Sequence, residues 1–392
     1  MNKTTLAACF GLLVIAAQAQ TSYNAVYFKG TKGFLLSDSG KVYRSADAGA
    51  SWTGKTAKDS AYCTGVNFPS EKVGYIVGLG TILKTTDGGD TWTSPKKTGT
   101  WLSQVHFISD DIGVAVGIGV IMRTTDGGAT WSTEVPHSSQ GGLQTYNDVF
   151  FTGSDAGYLV GLDGWIRKSS DQGDNWDSLT SPTAHDLQAV HFPTASVGYA
   201  VGDSGTIIKT SNAGASWAVQ ASGSTKELHD VFFVDANTGW AVGGFTSSVI
   251  LKTSNGGATW APQANPGNFG LSSVSFLDAN KGWAVGGFGT LLMTVDGGLH
   301  WGLITPSAVR GVARSSRGLR QAEGQVEYAL ARDARVEARL LDARGRTVSE
   351  LFSGSQSAGS HTLALPARGP SAGAYLLDFR ADGERRTLTL RP

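Results

Sequence analysis

Short apolar stretches, separated by turns rich in glycine, aspartate and serine, recur along the first three hundred residues. Apolar side chains alternate with polar ones within many of these stretches, which is the period of a half-buried β-strand. The turn residues between them are those that connect the strands of hairpins. In residues 187–220 the pattern predicts strands at 187–192, 198–202 and 206–209 and a fourth around Trp217, with a tight turn at 203–205.

This unit occurs seven times, and each copy carries a turn of the form Ser/Thr-x-Asp/Asn-x-Gly-x-x-Trp. A period near forty residues with one such turn is typical of a propeller or a solenoid, in which each unit buries its apolar surface against its neighbours. We expect an all-β fold: a seven-bladed β-propeller of four-stranded blades. The polar residue should accept backbone hydrogen bonds within its own turn, and the indole should pack between sheets. These pairs are Asp47 and Trp52, Asp87 and Trp92, Asp126 and Trp131, Asp171 and Trp176, Asn212 and Trp217, Asn255 and Trp260, and Asp296 and Trp301.

The two ends of the chain have different compositions from the repeats. Residues 1–19 have a lysine, an apolar run and an Ala-Gln-Ala site, which predict a secretory signal peptide. The expected domains are this signal at 1–19, the propeller at 20–304, a linker at 305–323 and a small Ig-like β-sandwich at 324–392. After Trp301 tryptophan and lysine are absent, and alternating strands follow the linker. A secreted or cell-surface location follows from the signal, with a periplasmic one as the alternative.

Charge and cysteine content exclude several classes of function. The net charge is −6 over residues 20–301 and +5 over residues 302–392, without a dense basic stripe, so a nucleic-acid partner is not expected. Cys63 is the one cysteine left after cleavage, so neither a disulfide nor a cysteine metal cluster is expected. No later segment is long and apolar enough for a transmembrane span. We expect no cofactor, no metal and a monomer.

The repeat resembles the Asp-box, or BNR, repeat of sialidases and related propellers. The fuller pattern V-x-F…G-W-A-V-G…G-x-I-L-K-T-x-D-G-G-x-T-W is most similar to the photosystem II assembly/stability factor family, over residues 24–304. This resemblance implies a seven-bladed propeller that binds a protein partner and has no enzymatic activity. The propeller contains three arginines, whereas the photosynthetic members use an arginine-rich surface.

The C-terminal strands resemble the flagellar-hook-cap-type Ig-like domain that serves as a type IX secretion sorting domain. The resemblance covers residues 325–392 and depends on Asp342, Gly345, Arg346, Gly359, His361, Gly373 and Tyr375. It implies a partner in the secretion machinery, followed by release or surface attachment. A generic adhesive Ig-like module is the alternative.

A binding function is favoured over catalysis. Trp101 falls in the loop that enters blade three, and Trp165 begins the third strand of blade four. Phe245 and Phe288 fall in turns of blades six and seven. These positions should emerge on one face of a meander, where Asp148 and Asp230 should join them. Exposed aromatics flanked by acids suit a protein or polysaccharide ligand, although the rings could instead fill gaps between blades. The alternatives are a secreted sialidase-like or other glycoside hydrolase, with Asp148 and Asp230 as candidate acids, and an assembly factor for a membrane complex. We predict no catalytic residue.

Overall fold

The structure is a computed structural model that describes residues 21–56, 62–134, 144–267 and 269–304, together with 320–322, 325–330, 333–341, 347–357, 359–365, 375–381 and 384–390. The chain divides into two compact units, Met1–Val309 and Arg310–Pro392. The predicted signal peptide and most of the predicted linker lie outside the described residues.

Five repeats of the first unit each form a separate sheet of four antiparallel strands in chain order. Repeat one contains β1 (Tyr23–Lys29), β2 (Lys32–Ser37), β3 (Lys41–Ser45) and β4 (Thr53–Thr56). Repeats two and three form one six-stranded sheet of β5 (Cys63–Asn67), β6 (Gly74–Thr85), β7 (Thr93–Phe107), β8 (Gly113–Gly117), β9 (Val120–Thr124) and β10 (Ser132–Glu134). The long β6 runs through the second and third strands of repeat two, and β7 joins its last strand to the first strand of repeat three.

The other four repeats form separate four-stranded sheets. They are β11 (Tyr146–Phe151), β12 (Gly157–Gly161), β13 (Ile166–Ser169) and β14 (Asp177–Leu179); β15 (Leu187–His191), β16 (Gly198–Gly202), β17 (Ile207–Thr210) and β18 (Ala218–Gln220); β19 (Leu228–Phe233), β20 (Gly239–Gly243), β21 (Val249–Thr253) and β22 (Ala261–Pro262); and β23 (Leu271–Phe276), β24 (Gly282–Gly286), β25 (Leu291–Thr294) and β26 (Gly302–Leu303). One-turn 3₁₀ helices at Leu162–Gly164, Asp203–Gly205 and Gly287–Gly289 connect second to third strands. The predicted all-β fold of four-stranded antiparallel units is confirmed. The count of seven blades stays a prediction from the repeats.

The hydrophobic core of this unit lies between neighbouring sheets. One cluster joins Tyr199 and Val201 of repeat five to Val231, Phe233 and Trp260 of repeat six, and all five are buried. Burial of about 25 cal/mol per Å² of apolar surface stabilises such contacts, so each sheet depends on the next one for its stability.

The first and last repeats pack together in the same way. Phe28 stacks on Trp283 with ring centroids 4.1 Å apart. The Val26 amide donates a hydrogen bond to Ser273 Oγ over 3.3 Å. Since each sheet of this unit consists of consecutive strands, repeats one and seven meet through side chains without an exchanged strand.

The second unit has two antiparallel sheets around one core. One contains β27 (Arg320–Ala322), β28 (Gln325–Leu330) and β31 (Gly359–Ala364), and the other contains β29 (Ala334–Leu341), β30 (Thr347–Gln356), β32 (Tyr375–Ala381) and β33 (Glu384–Leu390). The shared core consists of Val326, Tyr328, Ala334, Val336, Ala338, Leu340, Leu363, Leu377 and Phe379.

Candidate functional site

The turns of the form Ser/Thr-x-Asp/Asn-x-Gly-x-x-Trp have a structural role. In repeat three the Gly128 amide donates to Thr124 Oγ1 over 2.8 Å, and the Thr130 amide donates to Asp126 Oδ1 over 2.8 Å. The Thr130 hydroxyl donates to Asp126 Oδ2 over 2.6 Å, and these bonds lower the pKa of Asp126 to about 2. Both carboxylate oxygens are therefore satisfied inside the turn, as expected for local capping.

The turn also links neighbouring repeats. The Tyr199 hydroxyl and Lys209 Nζ of repeat five both donate to the Gly256 carbonyl oxygen in the turn of repeat six, over 2.8 and 2.6 Å. The Tyr199 ring stacks on Phe233, and Phe233 meets Trp260 edge to face. The turn therefore supplies one acceptor and one indole to the junction. We call this arrangement the junction link.

Asp148 and Asp230 are buried on β11 and β19, the first strands of repeats four and six, and do not join the exposed aromatic side chains. We call the first strand of each repeat its inner strand. Asp148 Oδ1 accepts the Val149 amide, and Oδ2 accepts the Val190 amide of the next repeat, each over 2.8 Å. Asp230 accepts the amides of Val231 and Val274 in the same way. Burial raises the pKa of Asp148 to about 8 and that of Asp230 to about 6. Each acid connects two inner strands, which favours a structural role over that of a glycosidase acid.

A row of rings lies beside these acids on the inner strands. His106 contacts Phe150, Phe150 contacts His191, and His191 contacts Phe232, with centroids 5.1, 4.9 and 5.1 Å apart. Burial lowers the pKa of His106 to about 4 and that of His191 to about 3, so both imidazoles are neutral near pH 7. Within the described ranges, no group of three or more His, Cys, Asp or Glu is arranged to hold a metal ion.

Three phenylalanines form an exposed surface that we call the phenylalanine patch: Phe245, Phe269 and Phe288. Their exposed fractions are 82%, 37% and 56%. Phe269 and Phe288 stack with centroids 4.1 Å apart. Gly270 connects the loops, because its amide donates to the Phe245 carbonyl oxygen and its own carbonyl oxygen accepts the Gly287 amide. The patch therefore joins repeats six and seven at the end of the sheets that carries the turns between second and third strands.

The predicted tryptophans are less accessible than the phenylalanines. Trp101 packs against Tyr62 with centroids 5.1 Å apart, and Trp165 lies 6.4 Å from the Tyr146 ring, so both are half-buried. Of the six predicted ligand residues, Phe245 and Phe288 are the two that the structure places in loops connected through Gly270.

Other exposed apolar residues were missed at the sequence level: Phe269, Leu79 (50% exposed) and Ile118 (51% exposed). Leu79 and Ile118 directly follow the second glycine of the repeated sequence Gly-x-x-Val-Gly, and this shared position is the signal that identifies them. No helix in the described ranges has the length and hydropathy needed to cross a membrane.

Comparisons with known proteins agree with this geometry. Residues 56–143 and 218–309, together less than half of the chain, match the sequence profile of the photosynthesis system II assembly factor YCF48. No curated protein sequence is significantly similar to this chain.

Several solved structures share the fold. YCF48 from Cyanidioschyzon merolae is 18% identical over 71% of this chain and 96% of that chain, with a TM-score of 0.59. YCF48 bound to a D1 peptide is 19% identical over 78% of this chain and 93% of that chain, with a TM-score of 0.52. A GH74 enzyme from Niastella koreensis is 15% identical over 94% of this chain and 66% of that chain, with a TM-score of 0.61. Over the two matched segments the chain is thus similar to the YCF48 family, and it has the fold of solved YCF48 proteins.

Proposed function

We propose that the chain is an exported, non-catalytic propeller whose phenylalanine patch binds an apolar segment of a protein partner. The observation that carries this proposal is the exposure of three phenylalanine rings, two of them stacked, on loops that hydrogen-bond to one another at one end of the sheets. Contiguous apolar surface on a folded protein marks an interaction site, and aromatic side chains supply much of the energy at such sites.

The backbone of Phe288 supports the proposal. Its φ is +53°, in the left-handed region that a bulky side chain rarely adopts, and such a residue costs about 1–3 kcal/mol. At the corresponding turn positions, Asp163 and Ser204 have similar φ angles. A large apolar ring that is both exposed and strained contributes little to folding, which favours a role in recognition.

The comparisons support a protein ligand. The matching profile is that of an assembly factor, and one structurally similar YCF48 is described as bound to a D1 peptide. We propose membership of this family and a ring of seven blades. A polysaccharide ligand remains the alternative for the same surface. A GH74-like hydrolase is less favoured, because Asp148 and Asp230 use their oxygens to connect inner strands.

We also propose that the signal peptide exports the chain to the cell surface or the medium. The C-terminal unit would then act as an Ig-like sorting or anchoring domain that engages the secretion machinery. Its support is the resemblance of the sequence and the two sheets around a shared core.

The binding test compares Phe288→Gly with Ser204→Gly. Glycine suits the left-handed backbone at both positions, so both variants should keep or raise the melting temperature. The full chain is presented with an array of apolar and aromatic peptides and with xyloglucan oligosaccharides. We expect wild-type protein and Ser204→Gly to bind a common subset of peptides, and Phe288→Gly to lose about tenfold or more in affinity. Equal peptide binding by Phe288→Gly, or binding or cleavage of oligosaccharide alone, would contradict the proposal.

A further inference from the structure

Every repeat has the same backbone hydrogen bond at the end of the sheets that carries the turns between second and third strands. The amide that follows the second strand donates to the carbonyl oxygen of the residue at the entry to the inner strand, over 2.8–3.2 Å. We call these two residues an entry pair. From repeat one to repeat seven, the entry pairs are Ser22–Asp38, Tyr62–Leu79, Trp101–Ile118, Thr145–Leu162, Asp186–Asp203, Glu227–Gly244 and Gly270–Gly287. Because the backbone contact repeats, the side chains at these positions can be compared directly.

The entry pairs are apolar in consecutive repeats. Both residues are apolar in repeats two and three, and repeat four has Leu162 at one position. The other repeats have serine, aspartate, glutamate or glycine at both positions. Leu79 and Ile118 are exposed, and Tyr62, Trp101 and Leu162 are half-buried. Apolar side chains of three neighbouring repeats therefore reach solvent at this end of the sheets.

The side chains of repeats two and three are in direct contact. Leu79 lies opposite Trp101 in the pairing of β6 with β7, so the two side chains are on the same face. The Tyr62 and Trp101 rings lie with centroids 5.1 Å apart. The Ile118 amide donates to the Trp101 carbonyl oxygen over 3.1 Å. The continuous strand β7, which runs from repeat two into repeat three, brings these residues together.

Repeat four extends this apolar surface. Ile118 forms an isolated bridge with Thr145, whose carbonyl oxygen accepts the Leu162 amide over 3.2 Å. The Leu162 carbonyl oxygen accepts the Trp165 amide over 3.0 Å, so the half-buried Trp165 belongs to the same turn. We use the name entry surface for Tyr62, Leu79, Trp101, Ile118, Leu162 and Trp165.

Three carboxylates border the entry surface in repeats four and five. Asp163 follows Leu162 and is exposed, and its amide donates to Asp186 Oδ1 over 2.8 Å. Asp203 forms an entry pair with Asp186, and its Oδ1 accepts Gln188 Nε2 over 3.0 Å. In the part of the chain that the structure describes, no lysine or arginine forms an ion pair with these carboxylates. Neighbouring negative charges repel each other, so a cation from a ligand is stabilised at this position.

We propose that the entry surface binds a polypeptide segment in which a bulky apolar residue lies close to a lysine or arginine. The apolar side chain packs on Leu79, Trp101 and Ile118, and burial of this area supplies the affinity. The cation lies beside the three carboxylates and supplies specificity through complementary charge. This surface belongs to repeats two to five and does not depend on the function proposed for the phenylalanine patch.

The chemistry of the surface favours a basic polypeptide over other ligands. The carboxylates repel an anionic lipid headgroup or an acidic peptide. A sugar ring can stack on Trp101 or Trp165, but Leu79 and Ile118 offer no partner for the hydrogen bonds that its hydroxyl groups would lose from water.

The test titrates the full chain with capped peptides of the form Leu-Phe-(Gly)n-Arg, in which the number of glycines varies. Two matched series replace the arginine by glutamate or Leu-Phe by Ser-Ser. Binding is followed through the methyl signals of Leu79 and Ile118 by NMR. We expect saturable shifts with at least one arginine peptide and about tenfold weaker binding by its two matched peptides. Added salt should weaken binding of the arginine peptide.

Two substitutions separate the apolar contact from a general effect on the protein. Ile118→Thr keeps a β-branched side chain but reduces its apolar surface, and Val219→Thr makes a similar change at another exposed position. Both variants should keep the wild-type melting temperature, because both side chains are exposed. Followed at Leu79, Ile118→Thr should bind the arginine peptide about tenfold more weakly, and Val219→Thr should bind it as the wild-type protein does.

The contribution of charge is tested with Asp163→Asn combined with Asp203→Asn. Asparagine tolerates the φ of +53° at position 163, and its side-chain oxygen at position 203 can still accept the Gln188 hydrogen bond. We expect this double variant to lose most of the preference for arginine over glutamate peptides.

The proposal is overturned if no arginine peptide gives saturable shifts, if Ile118→Thr binds as tightly as Val219→Thr, or if the double variant keeps the wild-type preference. Shifts of these signals with xyloglucan oligosaccharides alone would assign the surface to a glycan. Shifts that depend on protein concentration alone would assign it to a second copy of the chain. Phe288→Gly should leave the shifts unchanged, and their loss in that variant would place the peptide on the phenylalanine patch instead.

Discussion

At the scale of single residues, the aspartates and asparagines of the turns accept the same backbone hydrogen bond, although only the aspartates can titrate. Asn212 Oδ1 accepts the Ser216 amide over 2.9 Å, as Asp126 accepts the Thr130 amide. The Asn212 amide group donates to Ser216 Oγ, whereas the Thr130 hydroxyl donates to the Asp126 carboxylate. The hydroxyl group four residues after the turn aspartate or asparagine donates to an aspartate and accepts from an asparagine. This change of role explains why either aspartate or asparagine fits the turn.

Asp126→Asn should retain the turn and remove its sensitivity to acid. The folded pKa of Asp126, about 2, lies below the unfolded value near 4, so the stability it confers is present above pH 4 and is lost as the pH falls towards 2. We expect a urea midpoint close to that of the wild-type protein at pH 7. Between pH 4 and pH 2 the variant should lose less folding stability than the wild-type protein. Asp126→Ala is the control, and it should be destabilised already at pH 7. An equal acid loss in Asp126→Asn would refute this account.

At the scale of elements, side chains connect the inner strands at equivalent positions. Asp148 and Asp230 bridge to the next repeat, and Ser273 bridges repeat seven to repeat one. A bulge recurs early in the first strands, between Tyr146 and Asp148 and between Leu228 and Asp230, for example. The residue that forms the bridge directly follows this bulge.

Asp148→Ala should reduce the loss of folding stability that accompanies a rise in pH from 4 to 8. The folded pKa, about 8, lies above the unfolded value near 4, so the folded state holds the proton more tightly and stability declines as the pH rises from 4 to 8. The slope contributed by one such group is at most about 1.4 kcal/mol per pH unit. Alanine occurs naturally at the same register in Ala189. Urea unfolding of Asp148→Ala should show a flatter profile over this range.

Thr64→Val is the control for that experiment. It removes the hydrogen bond from Thr64 Oγ1 to the Leu102 carbonyl oxygen, which joins repeats two and three over 2.7 Å without a titrating group, so its profile should run parallel to that of the wild-type protein. A parallel profile for Asp148→Ala as well would rule out the carboxyl group as the source of the pH dependence.

The sequence predicted strands, turns and the capping role of Asp126 because these depend on neighbours a few residues away. The bridge from Asp148 to the Val190 amide joins residues 42 positions apart, and nothing near Asp148 indicates that acceptor role. Exposure of Phe245 and Phe288 followed from their turn positions. The partial burial of Trp101 could not be predicted in this way, because the ring that it contacts, Tyr62, lies before β5 and β6 in the chain.

At the scale of the whole molecule, the ring contains one junction without a covalent connection. Repeats one and seven meet only through packing and hydrogen bonds such as the stack of Phe28 on Trp283. The equivalent stack of Trp240 on Phe276 joins repeats that the chain also connects. The two tryptophans are equally buried, and Trp240 Nε1 also donates to the Gly297 carbonyl oxygen, so Trp240→Ala loses at least as many local contacts and is a stringent control.

Trp283→Ala should loosen the ring more widely than Trp240→Ala. Each substitution removes a buried indole, at a cost of about 3–5 kcal/mol. After Trp283→Ala, hydrogen–deuterium exchange should increase in both β1–β4 and β23–β26, because the covalent chain does not hold these sheets together. After Trp240→Ala, the increase should stay near repeats six and seven. The same extent of exchange in both variants would argue against closure by side chains alone.

The junction links between repeats two and three, four and five, five and six, and six and seven have one polarity, since strands of one repeat supply the donors and the turn of the following repeat supplies the acceptor. A ring assembled this way has no privileged starting unit. New termini opened in a loop between any two repeats, with the present ends joined, would leave every donor facing its acceptor. The position of the chain ends between repeats is therefore interchangeable. The order of the repeats around the ring is the property that has to be preserved.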